Sequence, residues 1–182
     1  IFDEEVRAKI CKGKVSSENW LKIHKMWHDK GRQSNATMLF GHIESRENRI
    51  DHMLRIRDLQ DETGGFNAFI PLVYQRENNY LKDVKFLGSA EILKTIAISR
   101  LVLDNVPHIK AYWATSTLNL AMIAQEFGAD DLDGTIEKES IQSAAGANSA
   151  NGVTLKTFCD LIKTSGFTPV ERDSLYNELK IY

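Results

Sequence analysis

Apolar positions recur along this chain with two different periods, and the two take turns. In SSENWLKIHKMWHDKG, Trp20, Ile23 and Trp27 stand at helical spacing and Gly31 suits the left-handed turn after a helix, so an amphipathic helix is predicted. SNATMLFG is short, mostly apolar and bounded by turn formers, the pattern of a buried strand. RENRIDHMLRIRDLQDET returns to helical spacing through Ile50, Met53, Leu54 and Leu59, until Gly64 and Gly65 stop it. GFNAFIPL then predicts a second strand that opens on an amide, Asn67, and closes at Pro71.

The same alternation runs on. AEILKTIAISRLVLDN reads as a third helix, HIKAYWA as a third strand and TLNLAMIAQEFG as a further helix ending in glycine. GADDLDGT predicts a short fourth strand leading into a helix over TIEKESIQSAAG, which Thr135 can cap. TLKTFCDLIKTSG and TPVERDSLYNEL are expected to close the chain as helices. The last carries a capping box of Thr168 and Glu171 with Pro169 at the first helical position.

Helix alternating with buried strand predicts an α/β fold of parallel strands, either a doubly wound sheet or a barrel. Neither GxGxxG nor GxxxxGK[ST] occurs at a strand-to-helix turn, which favours the barrel. Barrel strands alternate between the interior and the helix layer. Asn35, Thr37 and Leu39 form one class against Ala36, Met38 and Phe40; Asn67, Phe69 and Pro71 oppose Ala68 and Ile70; Lys110 and Tyr112 oppose Ile109, Ala111 and Trp113. The polar members fall in one class, with Asp131 and Asp133 able to add carboxylates. That class reads either as the wall of a polar ligand chamber or as the wet side of an ordinary half-exposed sheet.

Composition narrows the choice of function. A chain of 182 residues fits a single domain over 1–182, and a formal net charge of -2 supplies no basic field for gathering phosphates, so nucleic acid is not an expected partner. No apolar run approaches the roughly 18 residues of a membrane span, so a soluble, cytoplasmic protein with no membrane partner is expected. Cys11 and Cys159 are two distant thiols outside any CxxC pattern, neither a disulfide framework nor a metal knuckle. The chain opens with Ile1, and IFDEEVRAKI lacks the shape of a signal peptide, so an absent beginning is expected.

Barrel active sites form at the C-terminal ends of strands, which directs attention to FGHIES, QRENN, the segment after AYW and DLDGT. His42 and Glu44, just past the first strand, are candidate catalytic residues as a proton-transfer or hydrogen-bonding pair; the plain alternative is a satisfied polar contact. His24 and His28 stand at i, i+4 like a metal-ligand pair, yet no glutamate base follows His24 and no third ligand is evident, so no metal site is expected.

Taken together, GHIESRENRIDHMLRIRDLQDETGGFNAFIPL, RLVLDNVPHIKAYW, FGADDLDGTIEKESIQSAAGA and PVERDSLY resemble the C-terminal half of the aminofutalosine synthases, radical S-adenosylmethionine (SAM) enzymes of the futalosine route to menaquinone. The likeness covers nearly the whole chain. GADDLDGT and DNVPHIKAYW separate it from the related dehypoxanthine futalosine cyclases, which share the QDETGGF region and remain an alternative.

The resemblance implies strands five to eight of a (β/α)8 barrel, in which an enolpyruvyl ether of 3-hydroxybenzoate receives the 5′-deoxyadenosyl group of SAM. It also implies a 4Fe–4S cluster held by a CxxxCxxC motif, which is absent here. The polypeptide alone is therefore expected to bind no cluster and to be inactive, with a non-catalytic half-barrel module as the other class of reading. Two unpaired strand edges are expected to drive pairing with the missing N-terminal half or a homodimer.

Carried over by resemblance, Gly41 lies beside SAM at the end of strand five, and backbone groups of Ile70 and Leu72 meet an adenine edge at the end of strand six. Asn67, Lys110, Tyr112 and His42 face the substrate carboxylates, and Asp131, Asp133 and Thr135 orient hydroxyl or amine groups. One segment departs from the family, which reads His-Pro-Glu-Asn-Thr where this chain has QRENNY.

Overall fold

In the computed structural model, residues 1–81, 83–136, 140–146 and 152–182 are described. Helix α1 (Glu4–Ile10), unmarked by the apolar pattern, starts where the Asp3 carboxylate accepts the Val6 N–H. It is followed by α2 (Ser17–His28), β1 (Ser34–Phe40), α3 (Arg46–Thr63), β2 (Phe66–Val73), α4 (Ser89–Val102) and the two-residue β3 (His108–Ile109). The three strands form a parallel sheet in the order β1-β2-β3, which makes the molecule a mixed α/β protein whose sheet is compatible with half of a barrel. The expected fourth strand is reduced to one parallel bridge between Lys110 and Asp131.

Glycine and an amide join α3 to β2. Gly64 takes the left-handed conformation at the helix end (φ 61), and the Gln60 side chain then clamps the strand's first residue, accepting from the Phe66 N–H at 2.7 Å and donating to its carbonyl at 3.0 Å. Gly65 is required for a different reason: a Cβ there would stand 2.1 Å from Cγ of His28. That ring cannot easily yield, because its two nitrogens bond the Thr63 and Ser34 hydroxyls, each at 2.8 Å. Gly65→Ala is expected to destabilise the protein by about 1–3 kcal/mol through overpacking, read as a lowered urea midpoint at unchanged m-value.

Asn67 is the extra residue of a β-bulge. Ser34 pairs with Phe66 and Asn35 with Ala68, so the alternation along β2 shifts by one position. Beyond the bulge, Ile70 and Leu72 share the face of Thr37 and Leu39, while Phe69, Pro71 and Val73 are buried with Ala36, Met38 and Phe40. The expectation that Phe69 and Pro71 face a chamber while Ile70 packs on the helices is therefore reversed. The buried face meets Met53, Ile56 and Leu59 of α3 and Ile92 and Ile96 of α4 in one apolar core.

Pro71 sits where its missing N–H does no harm. The Tyr74 N–H goes to Phe40 of β1, whereas the Phe69 carbonyl accepts from Lys110 beyond β3. Because N–H and C=O of one extended residue point the same way and alternate along the strand, Ile70 and Leu72 address β1 and Pro71 addresses the side where the β3 ladder has ended. The backbone groups of Ile70 and Leu72 are thus turned to the β1 ladder.

The C-terminal part departs furthest from the sequence pattern. After α5 (Trp113–Ser116), α6 (Leu118–Ala124) and a 3-10 turn, α7 occupies only Ile141–Ala144, where a helix capped by Thr135 was expected; residues 137–139 of that stretch lie outside the described residues. Helix α8 (Leu155–Thr164) matches its prediction, with Thr154 as cap. The predicted last helix is instead an antiparallel hairpin of β4 (Val170–Arg172) and β5 (Glu178–Ile181). Asp173 decides this. Its Oδ1 accepts from the backbone N–H groups of Leu175 and Asn177, its Oδ2 from the Asn177 amide, and Tyr176 turns to φ 66, a local network that competes with the helix.

Candidate functional site

Two polar constellations stand at the sheet, one past β1 and one beside β3. At the first, Gly41 (φ 88) turns the chain, and a Cβ there would come within 2.9 Å of the Leu87 side chain. The Glu44 side chain is wholly buried behind this turn. It accepts from the N–H groups of Gly41 at 2.6 Å and His42 at 2.8 Å and from Arg49 Nε at 2.8 Å. Burial pushes this carboxyl upward, but the bonds from His42 and from the two backbone N–H groups outweigh it and hold the pKa at about 2.

The His42 ring is similarly committed. Nε2 lies 3.0 Å from the Leu39 carbonyl, while Nδ1 lies 2.8 Å from the Ile43 N–H and 2.9 Å from Glu44 Oε2. The candidate pair is therefore in hydrogen-bonding contact. Arg49 extends the chain of contacts to Glu91 and the Thr95 hydroxyl on α4, both at 3.2 Å. The end of β1 is locked to two helices.

The second constellation lines a cleft of about 650 Å³ between the sheet edge, α8 and the hairpin. Lys110, Asp131, Asp133 and Thr135 are gathered here, while Asn67, His42, Glu44, Ile70 and Leu72 lie outside its lining. Lys110 Nζ contacts Asp133 Oδ1 and stands 3.8 Å from Asp131 Oδ2. Asp131 also takes the Arg172 guanidinium, the Tyr176 hydroxyl at 2.6 Å and the Asp133 N–H at 3.1 Å. Burial alone would raise the Asp131 pKa; the Tyr176 hydroxyl and the Lys110 charge outweigh it and hold it low. At Asp133 burial prevails over Lys110, and the pKa is raised.

Arg172 and Tyr176 escaped the sequence reading because a helix was expected around them. The Tyr176 ring stacks on His108 at 3.9 Å between centroids, and His108 Nδ1 lies 2.7 Å from Asp130. Tyr112 is half-buried just before α5 and accepts from Thr115 and Ser116 through its carbonyl. His24 and His28 converge on the Ser34 hydroxyl, each at 2.8 Å, and burial lowers His24 to about 4.

Against known proteins, residues 63–182 match the model of the CofH/MqnC C-terminal region. The chain belongs to the CofH/MqnC family. It is 48% identical over its whole length to the aminodeoxyfutalosine synthase of Thermus thermophilus, and 44% identical to that of Streptomyces coelicolor. A cyclic dehypoxanthine futalosine synthase of Streptomyces coelicolor matches at 40%. The chain spans about half the length of these relatives, 50%, 50% and 45% in turn. Within the matched region lie β2, the Lys110 cleft and the hairpin that closes it.

Proposed function

We propose that this chain forms the C-terminal half, about strands five to eight, of the (β/α)8 barrel of a cytoplasmic radical SAM aminodeoxyfutalosine (aminofutalosine) synthase. The reaction breaks the C5′–S bond of SAM, releasing methionine, and joins the 5′-deoxyadenosyl group to the enolpyruvyl ether of 3-hydroxybenzoate with loss of carbon dioxide, giving aminofutalosine for menaquinone. The observation that carries this reading is the 48% identity to the Thermus thermophilus synthase across the entire chain. The parallel sheet, with Asn35, Thr37, Leu39, Ile70 and Leu72 on its less covered face, agrees with the wall of a small-molecule chamber.

The chain's own residues do not fit a 4Fe–4S cluster. Its thiols are the half-buried Cys11 after α1 and the buried Cys159 on α8, and among the described residues no three His, Cys, Asp or Glu side chains are grouped to hold a metal ion. SAM, when bound, supplies the adenosyl group. Toward it, Glu44 acts as a positioning residue that fixes the Gly41 and His42 backbone at the end of β1. Ile70 and Leu72 offer an apolar surface to the adenine through their side chains. Asn67, Tyr112, Asp131, Asp133, Thr135 and Lys110 supply polar contacts to the bound molecules, SAM and the enolpyruvyl ether.

β1 pairs with β2 on one edge, and its other edge has no strand among the described residues, which suits docking of an N-terminal half or of a second copy. The anaerobically reconstituted full-length enzyme, given SAM and the enolpyruvyl ether, is expected to form aminofutalosine. Conversion of dehypoxanthine futalosine instead would assign it to the cyclases. Residues 1–182 alone are expected to show no turnover and no iron-dependent visible absorption after reconstitution; a cluster band would overturn the division of labour between the halves.

A further inference from the structure

The cleft beside β3 carries an excess of negative charge. Five carboxylates line it, Asp130, Asp131, Asp133, Glu171 and Glu178, against two lining cations among the described residues, Lys110 and Arg172, with Arg100 reaching Asp130 from outside the lining. Both cations are already matched, Lys110 by Asp133 and Asp131 and Arg172 by Asp131. An entering carboxylate would find no uncompensated positive charge here, and the role of carboxylate anchor does not fit Lys110.

What the cleft does leave open is an acceptor. Asp133 Oδ1 is bound by Lys110, but Asp133 Oδ2 is buried and has no hydrogen-bond partner among the described residues. The residue is held in the left-handed region (φ 62), next to the single bridge that ends the sheet. A buried acceptor without a donor is costly, and a strained non-glycine residue persists only where its surroundings enforce it. A ligand donor would answer the cost. The buried Oδ2, the strained backbone and the cation holding the sister oxygen all belong to one side chain.

We propose that Asp133 accepts a hydrogen bond from a hydroxyl or amine of the bound ligand, so that this cleft takes the donor-bearing part of the ligand and not its carboxylates. Lys110 and Asp131 then serve to hold Asp133 in place. As to which molecule supplies the donor, the inference rests on the proposed function. The enolpyruvyl ether brings two carboxylates and no hydroxyl or amine, whereas SAM brings ribose hydroxyls, the adenine amine and an ammonium group.

The test measures equilibrium binding of three probes, adenosine, L-methionine and the enolpyruvyl ether, to the full-length enzyme and its Asp133→Asn and Asp133→Gly variants. Asparagine keeps the shape while offering an N–H, and glycine removes the acceptor; both tolerate a positive φ, and unfolding midpoints verify that each variant folds. Both substitutions are expected to weaken adenosine by about tenfold or more and leave the ether unchanged. A loss confined to L-methionine supports the same contact with the ammonium as donor. Unchanged affinity for all three probes, or a loss confined to the ether, overturns the proposal. Wild-type enzyme that binds neither adenosine nor the ether overturns the proposed function and this inference with it.

Discussion

Asp131→Ala is expected to lower the unfolding free energy by about 3–5 kcal/mol, the range for removing one partner of a buried ion pair. Asp131 is 8% exposed and serves four neighbours: the Arg172 guanidinium, the Tyr176 hydroxyl at 2.6 Å, the Asp133 N–H at 3.1 Å and, at 3.8 Å, the Lys110 ammonium. Alanine would leave Lys110 with Asp133 alone and Arg172 without its carboxylate. Tyr176 would lose the acceptor that, after burial, does most to keep its hydroxyl protonated. The hairpin should suffer first, because Arg172 and Tyr176 reach back 41 and 45 residues to this one side chain. Urea unfolding followed by circular dichroism measures the cost, and hydrogen exchange at β4 and β5 should accelerate. A loss below about 1 kcal/mol, the worth of an exposed pair, would show that the hairpin is anchored by something else.

Glu44→Gln is expected to remove an acid-sensitive contribution of about 3 kcal/mol, following from a carboxyl held at about 2 against 4.5 for the unreacted group. The sign follows from the depressed pKa. The unfolded chain takes up the proton more readily, so the stabilisation is fully present above pH 4.5 and is lost as the pH falls toward 2. Glutamine cannot accept from Gly41, His42 and Arg49 as an anion does, and it leaves Arg49 to Glu91 and Thr95. Stability measured from pH 7 to pH 2 should therefore show the wild type falling toward the variant below about pH 4.5. Curves that stay parallel through that window would mean that the carboxylate contributes nothing specific. On the proposed function, the same substitution in the full-length protein should weaken SAM binding through the loosened Gly41 backbone.

The parts legible in the sequence are those whose causes lie within a few residues. α2, α3 and α8 follow from apolar spacing; the structure adds their caps Ser16, Ser45 and Thr154, each accepting a backbone N–H three residues on. β1 follows from its short apolar run, and Gly64 marked the end of α3 correctly. The polar parity class was right for β1, whose Asn35 and Thr37 lie on the sheet's less covered side. It failed along β2 because the bulge at Asn67 depends on the register with β1, and no periodicity within β2 records it. The last helix failed because Thr168, Pro169 and Glu171 make a sound local start, while Asp173 closes a tighter turn and Asp131 draws Arg172 and Tyr176 away.

The family, the alternation of helix and strand, and the residues that bring charge to the end of the sheet are all legible in the order of the amino acids. Each of these rests on local spacing or on a continuous run of matching residues. Which charges meet is settled in the folded chain, because burial and pairing depend on side chains far apart in sequence. It turned Lys110 from a free cation into the partner of Asp133 and brought the hairpin's Arg172 and Tyr176 onto Asp131. Among the described residues it also left a buried carboxylate oxygen, Asp133 Oδ2, without a donor.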